Sequence, residues 1–166
     1  MQTIIKNNSY IPFLIGMLLL VSCDSKRVFD EYTSISDGFW DANNTVAFNF
    51  SVSDTIAQKN LFFNIRNNND FAFSNLFLIT ELTFPDGHKV KDTLEYDMAD
   101  KTGRFLGAGF SEIKENKLFY KENILFPNSG NYTVTINHAM RKGNEVAGLK
   151  TLKGITDVGF RIEKIE

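Results

Sequence analysis

The feature that most limits the fold of this chain is a series of short segments in which apolar and polar residues alternate. Residues 45–52 show it best, because Val46, Phe48, Phe50 and Val52 alternate with small or polar residues. Successive side chains of a β-strand point to opposite faces, so this pattern predicts a strand with one apolar face. A helix would need apolar residues three or four positions apart instead.

Further segments with strand character are separated by turn signals such as Pro85-Asp86-Gly87. No amphipathic segment is long enough to form the crossover helix that a parallel sheet needs. We therefore predict about eight strands in an all-β, antiparallel two-sheet β-sandwich of the jelly-roll type. The other predicted strands span residues 28–35, 61–66, 75–84, 89–98, 117–126, 131–138 and 155–165.

For two of these segments the sequence predicts more than a strand. Residues 75–84 form a long, almost wholly apolar run, which predicts a central strand buried on both faces, with 89–98 as its hairpin partner. Gly130-Asn131-Tyr132 resembles the tyrosine corner of sandwich folds, in which the tyrosine hydroxyl bonds to backbone a few residues upstream.

The N-terminus has the layout of a secretory signal peptide. Residues 1–10 contain Lys6 and no acidic residue, and residues 11–21 are almost wholly apolar. An apolar helix of about twelve residues spans roughly 18 Å, short of the roughly 30 Å hydrocarbon core of a bilayer. We therefore predict a cleaved signal peptide over residues 1–22 and no membrane-spanning helix in this segment.

The apolar run ends in Leu20-Val21-Ser22-Cys23, which has the form of a lipobox and contains the only cysteine of the chain. A single cysteine in an exported protein requires an explanation, and attachment of palmitate-type acyl chains provides one. We predict that Cys23 is the lipidated first residue of the mature protein. Residues 23–27 would form a short tether, and residues 28–166 a single β-sandwich domain.

Charge narrows the range of partners. The chain has a net charge of −2, and the signal peptide contributes one lysine and no acidic residue. Nucleic-acid-binding domains are typically basic, and no cluster of lysine or arginine is present to bind an anionic surface. We therefore expect no nucleic-acid partner, and a membrane contact that depends on the lipid anchor.

No motif indicates catalysis. His88 and His138 lack the neighbours that a zinc site needs, so we interpret both as surface histidines and predict no metal. The glycine-rich segment 103–109 lacks the Gly-Lys-Ser/Thr ending of a phosphate loop, and no Gly-x-Ser-x-Gly nucleophile motif occurs. We predict no enzyme activity and no cofactor. No pair stands out as catalytic among Asp86, Asp92, Asp97, Asp100 and Asp157.

Three residues are candidates for an interaction surface, since Trp and Arg are enriched at binding hot spots: Trp40, Arg66 and Arg104. Trp40 has two interpretations. It could join Phe39 and Tyr32 in an aromatic platform for sugar, or it could close the open end of the sandwich, which is the interpretation that we favour. Fold alone does not decide between a docking protein and a glycan-binding module.

Two sites resemble an O-glycan acceptor motif of exported Bacteroidetes proteins, in which Asp precedes Ser or Thr and an aliphatic residue follows. They are Asp54-Thr55-Ile56 and Asp92-Thr93-Leu94. The motif predicts glycosylation of Thr55 or Thr93, although the same residues also fit ordinary strand starts.

The order of motifs along nearly the whole mature chain resembles the GldH-type gliding-motility lipoproteins of Bacteroidetes. After the lipobox, the residues that carry the resemblance are Trp40, Ile65-Arg66-Asn67-Asn68, Asn75-Leu76, Pro85-Asp86-Gly87, Asp92-Thr93-Leu94, Gly103, Gly107, Gly109, Phe126-Pro127, Gly130, Tyr132, Met140-Arg141, Gly154-Ile155, Asp157, Gly159 and Arg161-Ile162.

The resemblance implies a non-catalytic cell-envelope lipoprotein required for gliding, which docks to other proteins near the type IX secretion and motility machinery. We favour the periplasmic face of the outer membrane, with the inner membrane and the cell surface as alternatives. A surface lipoprotein with a glycan-binding sandwich is the alternative function.

Overall fold

The structure is a computed structural model that describes residues 24–109, 111–143 and 145–165. The predicted signal peptide and Cys23 lie outside the described residues. The strands are β1 Arg27–Ser34, β2 Phe39–Asp41, β3 Val46–Val52, β4 Lys59–Asn67, β5 Asn75–Thr83, β6 Lys89–Asp97, β7 Lys114–Ile124, β8 Gly130–His138, β9 Thr151–Lys153 and β10 Ile155–Lys164. A short 3-10 turn, Ser36–Gly38, lies between β1 and β2.

Eight long strands form two antiparallel four-stranded sheets, which confirms the predicted sandwich. Sheet 1 has the order β1-β10-β4-β7 and sheet 2 the order β3-β8-β5-β6. Without the two three-residue strands, these orders become 1-8-3-6 and 2-7-4-5, the arrangement of a jelly roll. The short strands β2 and β9 pair with each other and were not predicted.

The core lies between the sheets and is mainly aromatic. Phe50 of β3 stacks on Tyr132 of β8 at a centroid distance of 5.6 Å, and it contacts Phe160 of β10 at 5.4 Å. The alternation predicted for β3 is confirmed, since its burial alternates strictly along the strand. The tyrosine corner is also present, because the Tyr132 hydroxyl donates to the carbonyl oxygen of Asn128 at 2.7 Å.

The prediction that residues 75–84 are buried on both faces is wrong. Strand β5 alternates between buried and half-buried residues, because no other element of the described residues packs over the outer face of sheet 2. The strand buried on both faces is β4. Its outward Phe62 is covered by Phe119, at a centroid distance of 4.5 Å, and by the Lys117 ammonium, 4.1 Å from its ring centroid.

The antiparallel register gives the sandwich two unlike ends. The short-loop end carries the first described residues, 24–26, the connections 53–58, 84–88 and 125–129, and residue 165. The long-loop end carries the connections 35–45, 68–74, 98–113 and 139–154.

Candidate interaction surfaces

Trp40 is fully buried at the long-loop end, where it closes the sandwich. Its indole Nε1 donates to the carbonyl oxygen of Asn44 at 3.0 Å, and its strand β2 pairs with β9 opposite Leu152. With 0% of its surface exposed, the ring presents no face to a ligand or partner. The prediction that Trp40 contributes to an exposed interaction surface therefore does not fit the structure, and the aromatic platform loses its central residue.

His138 is buried, so its interpretation as a surface histidine is wrong. Its ring packs edge-on against Trp40 at a centroid distance of 5.4 Å, and its Nε2 lies 3.0 Å from the carbonyl oxygen of Trp40. Burial lowers the pKa of His138, against the opposing effects of the Trp40 carbonyl and Asp41. The sequence did contain the signal, because His138 has the same strand parity as the inward-facing Val134 and Ile136.

Arg66 lies on the outer face of sheet 1 as part of an ordered polar cluster. Its Nε donates to the Glu115 carboxylate at 2.7 Å, and its guanidinium lies 4.2 Å from the centroid of the Tyr32 ring. The Tyr32 hydroxyl donates to the same carboxylate at 3.3 Å and accepts from Asn64 at 2.9 Å. The hydrogen bond to Glu115 raises the pKa of Arg66, against a smaller effect of burial. The side chain is 37% exposed, so part of it remains available to a partner.

The Tyr32 ring in this cluster rests on Gly159 of β10. A Cβ atom at that position would lie 2.8 Å from two carbons of the tyrosine ring. The absence of a side chain at Gly159 therefore lets Tyr32 lie flat on the sheet, beneath the guanidinium of Arg66.

Arg104 stands at the long-loop end and is 84% exposed, with its Nε 3.2 Å from the Asp100 carboxylate. Asp100 also accepts from the side chain and backbone of Thr102 and from the Arg104 backbone N–H, which together lower its pKa to about 2. The aspartate thus closes a local turn. An ion pair this exposed contributes little to stability, so Arg104 is free to exchange partners.

The glycines that follow Arg104 serve close packing. A Cβ atom at Gly107 would lie 2.8 Å from the Asn116 side-chain oxygen, and one at Gly109 would lie 2.3 Å from the carbonyl oxygen of Ile113. The absence of side chains at these two positions lets the loop pack tightly against the start of β7.

The two predicted glycan acceptors differ in access. Thr93 is exposed on the edge strand β6, whereas Thr55 is half-buried in the loop 53–58. In that loop, the Asp54 carboxylate accepts from the backbone N–H groups of Ile56 and Ala57, both at 3.0 Å, and lies 3.2 Å from the Lys59 ammonium.

A groove of about 630 Å³ on the outer face of sheet 2 was not predicted. It lies on the half of the sheet nearest the long-loop end, between the start of β5 and the residues that follow β8. The sequence did contain a signal for this groove. Residues 75–84 are apolar on both faces of the strand, so Phe77 and Ile79 face away from the core. The groove is lined by Phe73, Asn75, Phe77, Ile79, Thr93, Ala139, Met140, Arg141 and Gly143.

Within residues 24–109, 111–143 and 145–165, no group of three or more His, Cys, Asp or Glu side chains is placed to hold a metal ion. Nor does that part of the chain contain a helix long and apolar enough to cross a membrane.

Comparison with known proteins identifies relatives over most of the chain. The chain is 53% identical over 152 residues to the gliding motility lipoprotein GldH homolog of Christiangramia forsetii, covering 92% of this chain and 93% of that protein. It is 47% identical over 160 residues to gliding motility lipoprotein GldH of Flavobacterium johnsoniae, covering 96% of this chain and 98% of that protein.

Among solved structures, the VP2 subviral particle of infectious bursal disease virus matches at 14% identity and a TM-score of 0.41. The match covers 86% of this chain and 33% of that chain, a similarity too low to carry an argument. The sequence model of the GldH lipoprotein family, in contrast, matches residues 27–162. The chain therefore belongs to the GldH lipoprotein family.

Proposed function

We propose that this protein is a non-catalytic lipoprotein of the cell envelope that takes part in gliding motility by docking to another envelope protein. Two relatives at 53% and 47% identity carry the name gliding motility lipoprotein. The lipobox supports attachment through acylated Cys23, with the periplasmic face of the outer membrane as the favoured location. We place its partner among the components of the gliding and type IX secretion machinery.

The observation that carries the docking proposal is the groove on sheet 2. Phe73, Phe77 and Ile79 are half-buried there, and within the described part of the chain no further element covers them. Exposed apolar surface of this kind commonly marks a site of protein contact. Arg141 at the rim is exposed and can add hydrogen bonds to a partner. The groove therefore fits a protein that presents apolar side chains within a polar border.

The position of the groove supports the same function. It lies on the half of sheet 2 nearest the long-loop end, whereas the described chain begins at the short-loop end. A lipid attached at Cys23 would hold the short-loop end close to the membrane. The groove would then remain accessible to a partner while the protein is anchored.

The docking proposal is tested by changing the groove in cells that lack the chromosomal copy. Phe77→Asp places a charge in the groove, and Thr93→Arg fills it from the exposed edge strand without removing a core side chain. Thr83→Asp is the matched control, because Thr83 lies on the same face of β5 but outside the groove. We expect both groove variants to reduce gliding and the control to glide like the wild type.

The amount of each variant in the envelope and its melting temperature show that the protein is folded. Wild-type gliding by both groove variants, present in normal amounts, would overturn the proposal that this groove is the docking site.

The predicted glycan acceptors bear on this site, because Thr93 lines the groove. We propose that Thr93 or Thr55 is glycosylated in the native protein. A glycan on Thr93 would occupy the groove, so glycosylation of Thr93 and docking of a partner in the groove exclude each other. The intact mass of the native protein decides between them, since a mass of peptide plus lipid alone removes the glycan.

The alternative function, a glycan-binding sandwich, rested on an aromatic platform containing Trp40. Burial of that ring leaves the platform without its central residue.

A further inference from the structure

We infer that the short-loop end of the sandwich rests on the lipid bilayer and inserts Ile56 and Leu125 among the lipid headgroups. This inference rests on the proposed acylation of Cys23. It adds a second membrane contact, made by side chains of the folded domain, and a fixed orientation of the protein on the membrane.

The chain is already fixed to the sandwich at its first described residue. Asp24 forms an ion pair with Arg161 of β10, and the Lys26 carbonyl oxygen accepts from the backbone N–H of Lys164 at 2.8 Å. The hydrogen bond to Arg161 lowers the pKa of the Asp24 carboxyl. Residues 24–26, which link Cys23 to the sheet, are therefore held against the sandwich.

Arg161 is itself held in place. Its guanidinium also binds the carboxylates of Asp30 and Glu163, both at 2.6 Å, and its side chain is only 14% exposed. A residue of extended chain spans at most about 3.6 Å. Acyl chains on Cys23 would thus begin within a few ångströms of this end of sheet 1.

Apolar side chains are exposed on the same end of the sandwich. Ile56 is 88% exposed, Leu125 52% and Ile165 37%, and the three side chains line one shallow recess. Val28, which is 43% exposed, lies at the start of β1 on the same end. These four residues come from four separate segments of the chain, and the fold brings them to the end where the proposed anchor begins.

The most exposed of these side chains, Ile56, lies on an ordered loop. The Asp54 carboxylate holds the backbone N–H groups of Ile56 and Ala57. These bonds and the Lys59 ammonium lower the pKa of Asp54 to about 2, which keeps the carboxylate ionised. Ile56 is therefore presented to its surroundings by a fixed loop.

A bilayer fits this surface well. Apolar side chains at a membrane interface lie at the boundary between headgroups and acyl chains, and they add to the anchoring that acyl chains provide. Arg27 and Lys164 are exposed on the same end of sheet 1, where their charges suit lipid phosphates. A protein partner on the same end would have to compete with the membrane to which the lipid holds it.

The experiment uses the lipidated full-length protein, purified from its own bacterium and reconstituted into vesicles of phosphatidylethanolamine and phosphatidylglycerol. Ile56→Cys introduces a thiol that can carry the fluorophore NBD, since the sulfur of Cys23 is blocked by lipid. Val146→Cys is the matched control, because Val146 is 93% exposed in a loop of the opposite end.

We expect the emission of the label at position 56 to shift to shorter wavelength on reconstitution and to be quenched by lipids that carry a nitroxide on the acyl chain. The label at position 146 should keep its aqueous emission and escape quenching. Leu125→Cys gives a second, independent position that should behave like position 56. Equal emission and equal quenching at 56, 125 and 146 would overturn the inference.

The intact mass of the purified protein separates this inference from the proposal on which it rests. A protein that lacks the mass of acyl chains contradicts the lipid anchor, and the membrane-facing end then falls with it. An acylated protein whose labels at 56 and 125 stay aqueous contradicts the membrane-facing end alone.

Discussion

At the scale of single residues, the Trp40–His138 contact shows how the long-loop end is closed. The Trp40 carbonyl oxygen lies 3.0 Å from Nε2 of His138, while its indole Nε1 donates to Asn44. Within the described residues, Nδ1 of His138 is buried without a hydrogen-bond partner. A neutral imidazole that donates from Nε2 fits this site, and a charged imidazolium would leave a buried donor unpaired.

This contact predicts a pH dependence of stability. Because burial lowers the pKa of His138 below 6.5, the unfolded chain binds a proton at mildly acidic pH that the folded protein does not bind. The free energy of unfolding should therefore fall as the pH drops below about 6.5. The measurement is the urea midpoint between pH 7.5 and pH 5. His138→Gln removes the titration while keeping a donor near Trp40, so its midpoint should vary less with pH. Equal slopes for the two proteins would contradict the assignment.

Much of this site could be predicted at the residue scale. The interpretation of Trp40 as a plug for the sandwich agrees with its burial, and the tyrosine corner at Tyr132 is confirmed. His138 was misassigned because histidine is polar, although its position in the strand placed it inside. The partners of Arg66 were not predictable, because Tyr32 and Glu115 are distant in sequence and meet only through strand pairing.

At the scale of structural elements, the long-loop end depends on close backbone packing around Gly154. This residue joins β9 to β10 with φ at +91°, and its N–H donates to the Gly38 carbonyl oxygen at 2.8 Å. A Cβ atom here would lie 2.1 Å from the backbone nitrogen of Phe71. The connection 68–74 can therefore approach β10 only because residue 154 has no side chain.

Gly154→Ala should consequently destabilise the protein. A positive φ costs a residue with a side chain about 1–3 kcal/mol, and the clash with Phe71 adds to that cost. Gly143→Ala is the control, since a Cβ there meets no atom within 4 Å, and it should change stability by less than about 0.5 kcal/mol. Chemical denaturation measures both. Equal stability of the two variants would show that the connection 68–74 adapts without cost.

The elements themselves were largely predictable because alternation and turn residues act locally. Strand β3 follows the predicted alternation, and β6, β8 and β10 lie within one residue of the predicted bounds. The short strands β2 and β9 carry too few residues for a pattern, and they form only because they pair with each other. The burial of β5 was mispredicted because an apolar residue on an uncovered face looks the same in sequence as one under a second layer.

At the scale of the whole molecule, the two ends of the sandwich differ in a way that the sequence did not reveal. Which strands pair is decided by contacts distant in sequence, so the order within each sheet emerged only from the structure. That order places the start of the described chain at the short-loop end, with the groove on sheet 2 nearer the opposite end. A lipoprotein built this way can be held at a membrane by one end and bind a partner nearer the other.

The lipid anchor gives a prediction at this scale. Cys23→Ser removes the acceptor of the acyl chains, so the protein should become soluble or keep its signal peptide. Membrane fractionation with a high-salt wash, together with the size of the chain, distinguishes these outcomes. A chain of mature length that still pellets with membranes after the wash would contradict acylation at Cys23.

The most direct test of the central claim is deletion of the gene in its native host, with single-cell gliding on glass and export of secreted proteins scored in the same strain. Our account predicts loss of gliding that a wild-type copy restores. Loss of export as well would place the protein in or near the secretion machinery, and loss of gliding alone would place it on the motility side. Normal gliding together with normal export would contradict the account.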